Sequence, residues 1–163
     1  MRAVSDATPL IFLAKIGRLN LLEEIFETVL ISEEVFSEVV VEGKEKGHHD
    51  AYLVEEFIER GFILIKQVAI EKLRDMPIGR GEVETIELAV EERIEDVLMD
   101  EAKGRRIARL HNLHPKGTLW VLTKAFEDDM LSKEELKNCI QELLRCGYRI
   151  REDILVEILS ELM

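Results

Sequence analysis

The strongest constraint on this chain is a set of short apolar runs, regularly separated by segments of helical pattern. Residues 2–5 (Arg-Ala-Val-Ser), 28–31 (Thr-Val-Leu-Ile), 62–65 (Phe-Ile-Leu-Ile) and 97–99 (Val-Leu-Met) are the length of strands, and 115–118 is a weaker fifth. Between them apolar side chains recur at helical spacing: Leu10, Leu13, Ala14 and Ile16; Leu19, Leu22 and Phe26; Val35, Phe36, Val39 and Val40; then residues 52–59, 82–92 and 101–110. Thr8 is expected to cap the first helix with Pro9 at its first position, and Ser32 to cap the third. Short strands alternating with helices demand a parallel sheet covered on both faces, because each parallel connection must cross over. Three further helices are expected at 119–128, 132–144 and 151–162, while 44–50 reads as a loop or lid and 68–77 is ambiguous. The expected organisation is an α/β domain over 1–130 and a helical extension over 131–163, packed on that domain or on a second subunit.

Composition narrows the function classes. At 163 residues and 47% hydrophobic, the chain is large enough to fold without disulfides or structural zinc and too apolar to be disordered. No apolar run approaches the roughly 18 residues of a membrane span. The N-terminal stretch carries Asp6 before its apolar residues and reads as structure rather than a signal peptide, so the expected compartment is the cytoplasm. The formal charge of -12 disfavours tight, non-specific binding to a polyanion unless a divalent cation or a local basic patch intervenes.

Ligands of open α/β sheets gather at the carboxyl ends of the strands. Asp6 follows the first strand and Asp100 the fourth; Glu38 lies along one helix and Glu82 opens another, just after Gly79-Arg80-Gly81. Four carboxylates in one pocket must share protons or bind a cation. A hard divalent ion such as Mg2+ or Mn2+ suits all-oxygen donors, and it can lower the pKa of bound water and stabilise charge on a phosphoryl group. The reaction class this suggests is metal-assisted phosphodiester hydrolysis.

These residues also carry a family likeness. Val4-Ser5-Asp6-Ala7-Thr8-Pro9-Leu10-Ile11, Leu13-Ala14-Lys15-Ile16-Gly17-Arg18-Leu19, Ile31-Ser32-Glu33-Glu34-Val35, Gly79-Arg80-Gly81-Glu82-Val83-Glu84 and Leu98-Met99-Asp100-Glu101 resemble the prokaryotic PIN-domain proteins related to VapC-type toxins. Within that group they look like the subfamily with a Gly-Glu-x-Glu-x-Ile signature and a late Gly-Thr, here Gly117-Thr118. The resemblance implies a three-layer α/β/α fold, a Mg2+- or Mn2+-dependent ribonuclease acting on RNA, and often a cognate antitoxin and a homodimer. Its acidic positions fall on Asp6, Glu38, Glu82 and Asp100; Thr8 matches a hydroxyl that supports the first acid. The chain departs from the group in Ala7, where many members have Thr or Ser, and in using Glu82 where Asp is commoner. Glu84 lies roughly 200° around the helix from Glu82, so only one of the two can face a metal, and Glu82 is nearer the loop.

Other features receive structural readings. Gly79-Arg80-Gly81 lacks the spacing of a phosphate loop, His111 and His114 have no further zinc ligands nearby, and no Ser/His/Asp or Cys/His nucleophile is legible. Cys139 and Cys146 read as small packing residues, and Trp120 as core. Lys103, Arg105, Arg106 and Arg109 form either a solvated face or the patch that holds RNA phosphates; Arg80 and Lys103 are the expected phosphate contacts, with Glu101 an alternative ligand and Thr118 a supporting residue. Two competing classes are a PIN-like binding module without turnover and an assembly protein. The latter would use Leu136, Ile140, Leu143 and Leu144 with Ile154, Leu155, Ile158 and Leu162 as a dimer seam.

Overall fold

The computed structural model describes residues 1–68 and 75–162. Five parallel strands, β1 (Arg2–Ser5), β2 (Thr28–Ser32), β3 (Ile63–Lys66), β4 (Asp96–Leu98) and β5 (His114–Lys116), form one sheet in the order β3-β2-β1-β4-β5. Strand residues alternate between the two faces, as the pleat requires. Ala3, Val29, Ile31 and Leu98 enter one core, and Val4, Leu30, Val97 and Met99 enter the other. The first core is covered by α1 (Ala7–Lys15), α2 (Leu21–Ile25), α5 (His49–Glu59), α8 (Thr118–Glu127) and α9 (Lys133–Arg145); the second by α6 (Arg80–Glu92) and α7 (Ala102–Leu110). The architecture is the three-layer α/β/α arrangement expected.

Local chemistry sets the element ends. Ser32 Oγ accepts from the Val35 N–H and starts α3 (Glu33–Phe36). That helix runs on through a π-helical turn, Ser37–Val41, into α4 (Glu42–Glu45). Helix therefore extends into the expected 44–50 loop, because Lys44 and Glu45 favour it and Lys44 pairs with Glu55 of α5. It stops at Gly47, whose φ of +75° suits glycine. The first helix begins at Ala7 with Asp6, not Thr8, at the cap position. Pro9 is tolerated one turn in because first-turn N–H groups have no intrahelical partner. The ambiguous segment 68–77 falls largely on residues 69–74, outside those described.

The C-terminal helices are α9 and α10 (Glu152–Leu162). Ser132 and Glu135 form a reciprocal capping box at the start of α9. Leu136, Ile140 and Leu143 are buried in the same core as α1 and β2, so they are unavailable for the dimer seam envisaged above. Leu144 remains exposed, as do Val156 and Leu159 on α10. Among the described residues no helix is long and apolar enough to cross a membrane.

Candidate active site

The sheet order places a cleft between two neighbouring strands. From β1 the chain moves outward through β2 and β3, then returns to lay β4 on the other side of β1. The connections after β1 and β4 therefore diverge, leaving a crevice at their carboxyl ends. Ser5 pairs with Leu98, and the Asp6 N–H donates to the Leu98 carbonyl at 2.9 Å. Asp6 and Asp100 thus leave adjacent strand ends at nearly the same level.

Asp6 is only 6% exposed. Burial pushes its carboxyl up to about 7, the charges of Glu82, Glu38 and Asp100 push the same way, and the Ala7 N–H opposes them. Glu38 projects from the π-helical turn. Its carboxyl is also raised, by burial first and then by Glu34, Glu42, Glu82 and Glu84. Such turns concentrate at functional sites because the extra residue re-aims side chains. Glu82, in the first turn of α6, is raised by burial and by the Glu101 charge, against a hydrogen bond from the Gly79 N–H. Its Oε2 is a buried oxygen with no hydrogen-bond partner among the described residues. Leaving such an atom unpaired is costly, so it marks a place for a donor or a cation.

Two glycines hold space for these acids. A Cβ on Gly81 would stand 2.4 Å from Glu38 Oε1 and 3.4 Å from Asp6 Oδ1; one on Gly104 would meet Glu82 Oε2 at 2.3 Å. The carboxylates of β1 and the π-helical turn therefore approach the start of α6 from the same side, and Glu82 leans towards α7. Gly81→Ala is expected to change thermal stability by less than about 1 kcal/mol, since alanine favours the helix and Glu38 can swing aside. Thermal melts of the variant check this, and a loss well beyond that would mean that Glu38 is held fast beside Gly81.

Asp100 is held by three donors. Thr118 gives its N–H to Oδ1 and its hydroxyl to Oδ2, both at 2.7 Å, and the Tyr148 hydroxyl reaches Oδ1 at 2.7 Å. Burial and the Asp100 charge raise the Tyr148 phenol well above its ordinary value, so it remains a donor. Gly117 lets the group close up: a Cβ there would stand 2.8 Å from Asp100 Oδ1 and 2.9 Å from Arg105 Nη1.

The remaining sequence candidates separate. Glu84 turns away from Asp6 to pair with Arg80 at 3.1 Å, beside a cavity of about 580 Å3 on another flank of α6, which takes in none of Asp6, Glu38, Glu82 and Asp100. Arg80 also approaches Glu34. Lys103, Arg106 and Arg109 are exposed on α7, whereas Arg105 is half-buried beside Asp100. Glu101 is exposed at the start of α7, near enough to Glu82 to raise it. Thr8 is half-buried and no hydrogen bond joins it to Asp6 among the described residues. Arg105 belongs to the basic patch named in the sequence, whereas Tyr148 carries no sequence motif that marks it as a site residue.

Among the described residues, no group of three or more His, Cys, Asp or Glu side chains is placed to hold a metal ion. The donor set still fits a hard divalent ion. Mg2+ characteristically takes one or two carboxylates and keeps several waters, and Glu82 Oε2 has no partner among the described residues. Asp6, Glu38, Glu82 and Asp100 would hold such an ion.

A family model described as DUF3368: PIN domain matches residues 2–163. No curated protein matches the chain.

Proposed function

We propose, for a chain that belongs to the PIN-domain family, a fold that generally serves nucleases using divalent metal ions, that this cleft is the active site of an endoribonuclease. Asp6, Glu38, Glu82 and Asp100 hold one or two Mg2+ or Mn2+ ions. The observation that carries this reading is the buried Oε2 of Glu82, unpartnered among the described residues, beside Asp6 at the switch point of the sheet.

When bound, the cation supplies Lewis acidity and lowers the pKa of its water. The chain's own groups do the rest. Asp6 gives up a proton it holds near neutrality and becomes an anionic donor. Thr118 keeps Asp100 facing the cleft. Arg105, half-buried beside Asp100, is the cation best placed to steady an RNA phosphate, ahead of Arg80 and Lys103. Biologically, the reading is the toxin of a toxin–antitoxin pair, acting as a homodimer and neutralised by a cognate antitoxin. The exposed Val156 and Leu159 of α10 favour a protein contact on the extension.

The test is cleavage of a structured RNA with Mg2+ or Mn2+. Chelator should abolish it, and Glu38→Gln should lower it at least about a hundredfold. Equal cleavage by the variant, or cleavage undiminished in chelator, would refute the metal-nuclease reading. The -12 charge favours one other reading, a PIN-like module that binds RNA without turnover. Such a module would retain RNA while leaving it intact.

A further inference from the structure

We propose that Tyr148 is a positioning residue of the nuclease site, and that the C-terminal extension completes that site by supplying it. The inference rests on Asp100 acting as a cation ligand, as above.

A carboxylate has about four lone-pair positions. Among the described residues, Asp100 Oδ1 receives both the Thr118 N–H and the Tyr148 hydroxyl, while Oδ2 receives only the Thr118 hydroxyl. The open position therefore lies on Oδ2. With Oδ1 secured from two sides, the carboxylate cannot rotate to exchange its oxygens, and it presents a single oxygen to the cleft.

The structure fixes Tyr148 itself. The buried face of α9 anchors the helix through Leu136, Ile140 and Leu143. Its C-terminus turns through Gly147, φ +90°, and the Tyr148 N–H closes the turn on the Leu143 carbonyl at 3.0 Å. The ring then packs edge-on against Phe12 of α1, centroids 5.1 Å apart. Its hydroxyl thus arrives from 48 residues along the chain at a position set by the core. An outer partner that orients a metal ligand in this way characteristically changes metal affinity tenfold or more when removed.

The experiment is Mn2+ binding by full-length protein without RNA, read as free Mn2+ by electron paramagnetic resonance, with wild type, Tyr148→Phe and the exposed control Tyr52→Phe. Phenylalanine keeps the ring on Phe12, and thermal melts in chelator verify that each variant folds. Tyr148→Phe is expected to weaken Mn2+ binding about tenfold, while Tyr52→Phe leaves it unchanged. A purely structural tyrosine would shift the melt and leave the affinity alone. Equal affinity in wild type and Tyr148→Phe overturns the positioning role and leaves the nuclease reading standing. Absence of Mn2+ binding by wild type overturns both.

Discussion

Asp6→Asn is expected to make the metal-free protein more stable at pH 8, raising its melting temperature by roughly 5 °C, while reducing cleavage at least about a hundredfold. The two effects share one cause. In the fold the Asp6 carboxyl is raised from 3.8 to about 7 by burial and neighbouring acids. A carboxyl raised on folding is bound more tightly to its proton in the native state. Its stabilising contribution is complete below pH 3.8 and disappears as pH climbs through about 7. By pH 8 the full shift corresponds to at most about 4 kcal/mol, of which about 2 kcal/mol is expected to remain after local relaxation of the cleft. Asparagine removes the charge, keeps an acceptor for the Ala7 N–H, and escapes that penalty. It also removes an anionic group from the proposed cation site. Thermal melts of both proteins in chelator at pH 5 and pH 8 check the sign: the variant's advantage should appear at pH 8 and shrink towards pH 5. An unstabilised variant at pH 8 would mean that Asp6 is neither buried enough nor close enough to like charges for its carboxyl to be raised.

The second large effect is the response to metal. Saturation at about a hundred times the dissociation constant should add about 2.7 kcal/mol, or roughly 5–10 °C in a domain of this size. With Asp6 as the proposed ligand, the ion displaces the Asp6 proton. Affinity should therefore fall about tenfold for each pH unit below about 7, and hold nearly constant above it. Melts with Mn2+ at pH 6 and pH 8 should show the larger increment at pH 8. Equal increments would detach Asp6 from the ion.

Much of this candidate site is legible in the sequence because its acids lie where local patterns end. Asp6 and Asp100 each follow a short apolar run, and a parallel sheet brings such positions to one edge. Helix geometry lets only one of Glu82 and Glu84 face a metal, and nearness to the loop favours Glu82; in the structure Glu84 pairs with Arg80 while Glu82 leans towards α7. Ser32 announced its cap through residue type alone.

The rest depends on tertiary contact or on backbone detail. Tyr148 lies 48 residues from Asp100 in sequence, and nothing local marks it. Gly81 and Gly104 matter for the side chains they do not carry, which only the packed neighbours reveal. The π-helical turn at Ser37–Val41 is one extra residue within an apparently ordinary helix pattern. The amphipathic stripe of α9 suits an intrachain core and a dimer seam equally well, and the fold buries Leu136, Ile140 and Leu143 at home. The basic helix α7 carries four cations in sequence, but only Arg105 turns inward beside Asp100.

Anomalous diffraction at the manganese edge, from crystals of the full chain soaked in Mn2+ at pH 8, probes the cleft most directly. A peak about 2.0–2.2 Å from carboxylate oxygens of at least Asp6 and one of Glu82 or Asp100 is the expected result. Manganese bound elsewhere, with these carboxylates unchanged and pointing apart, would contradict a shared cation site.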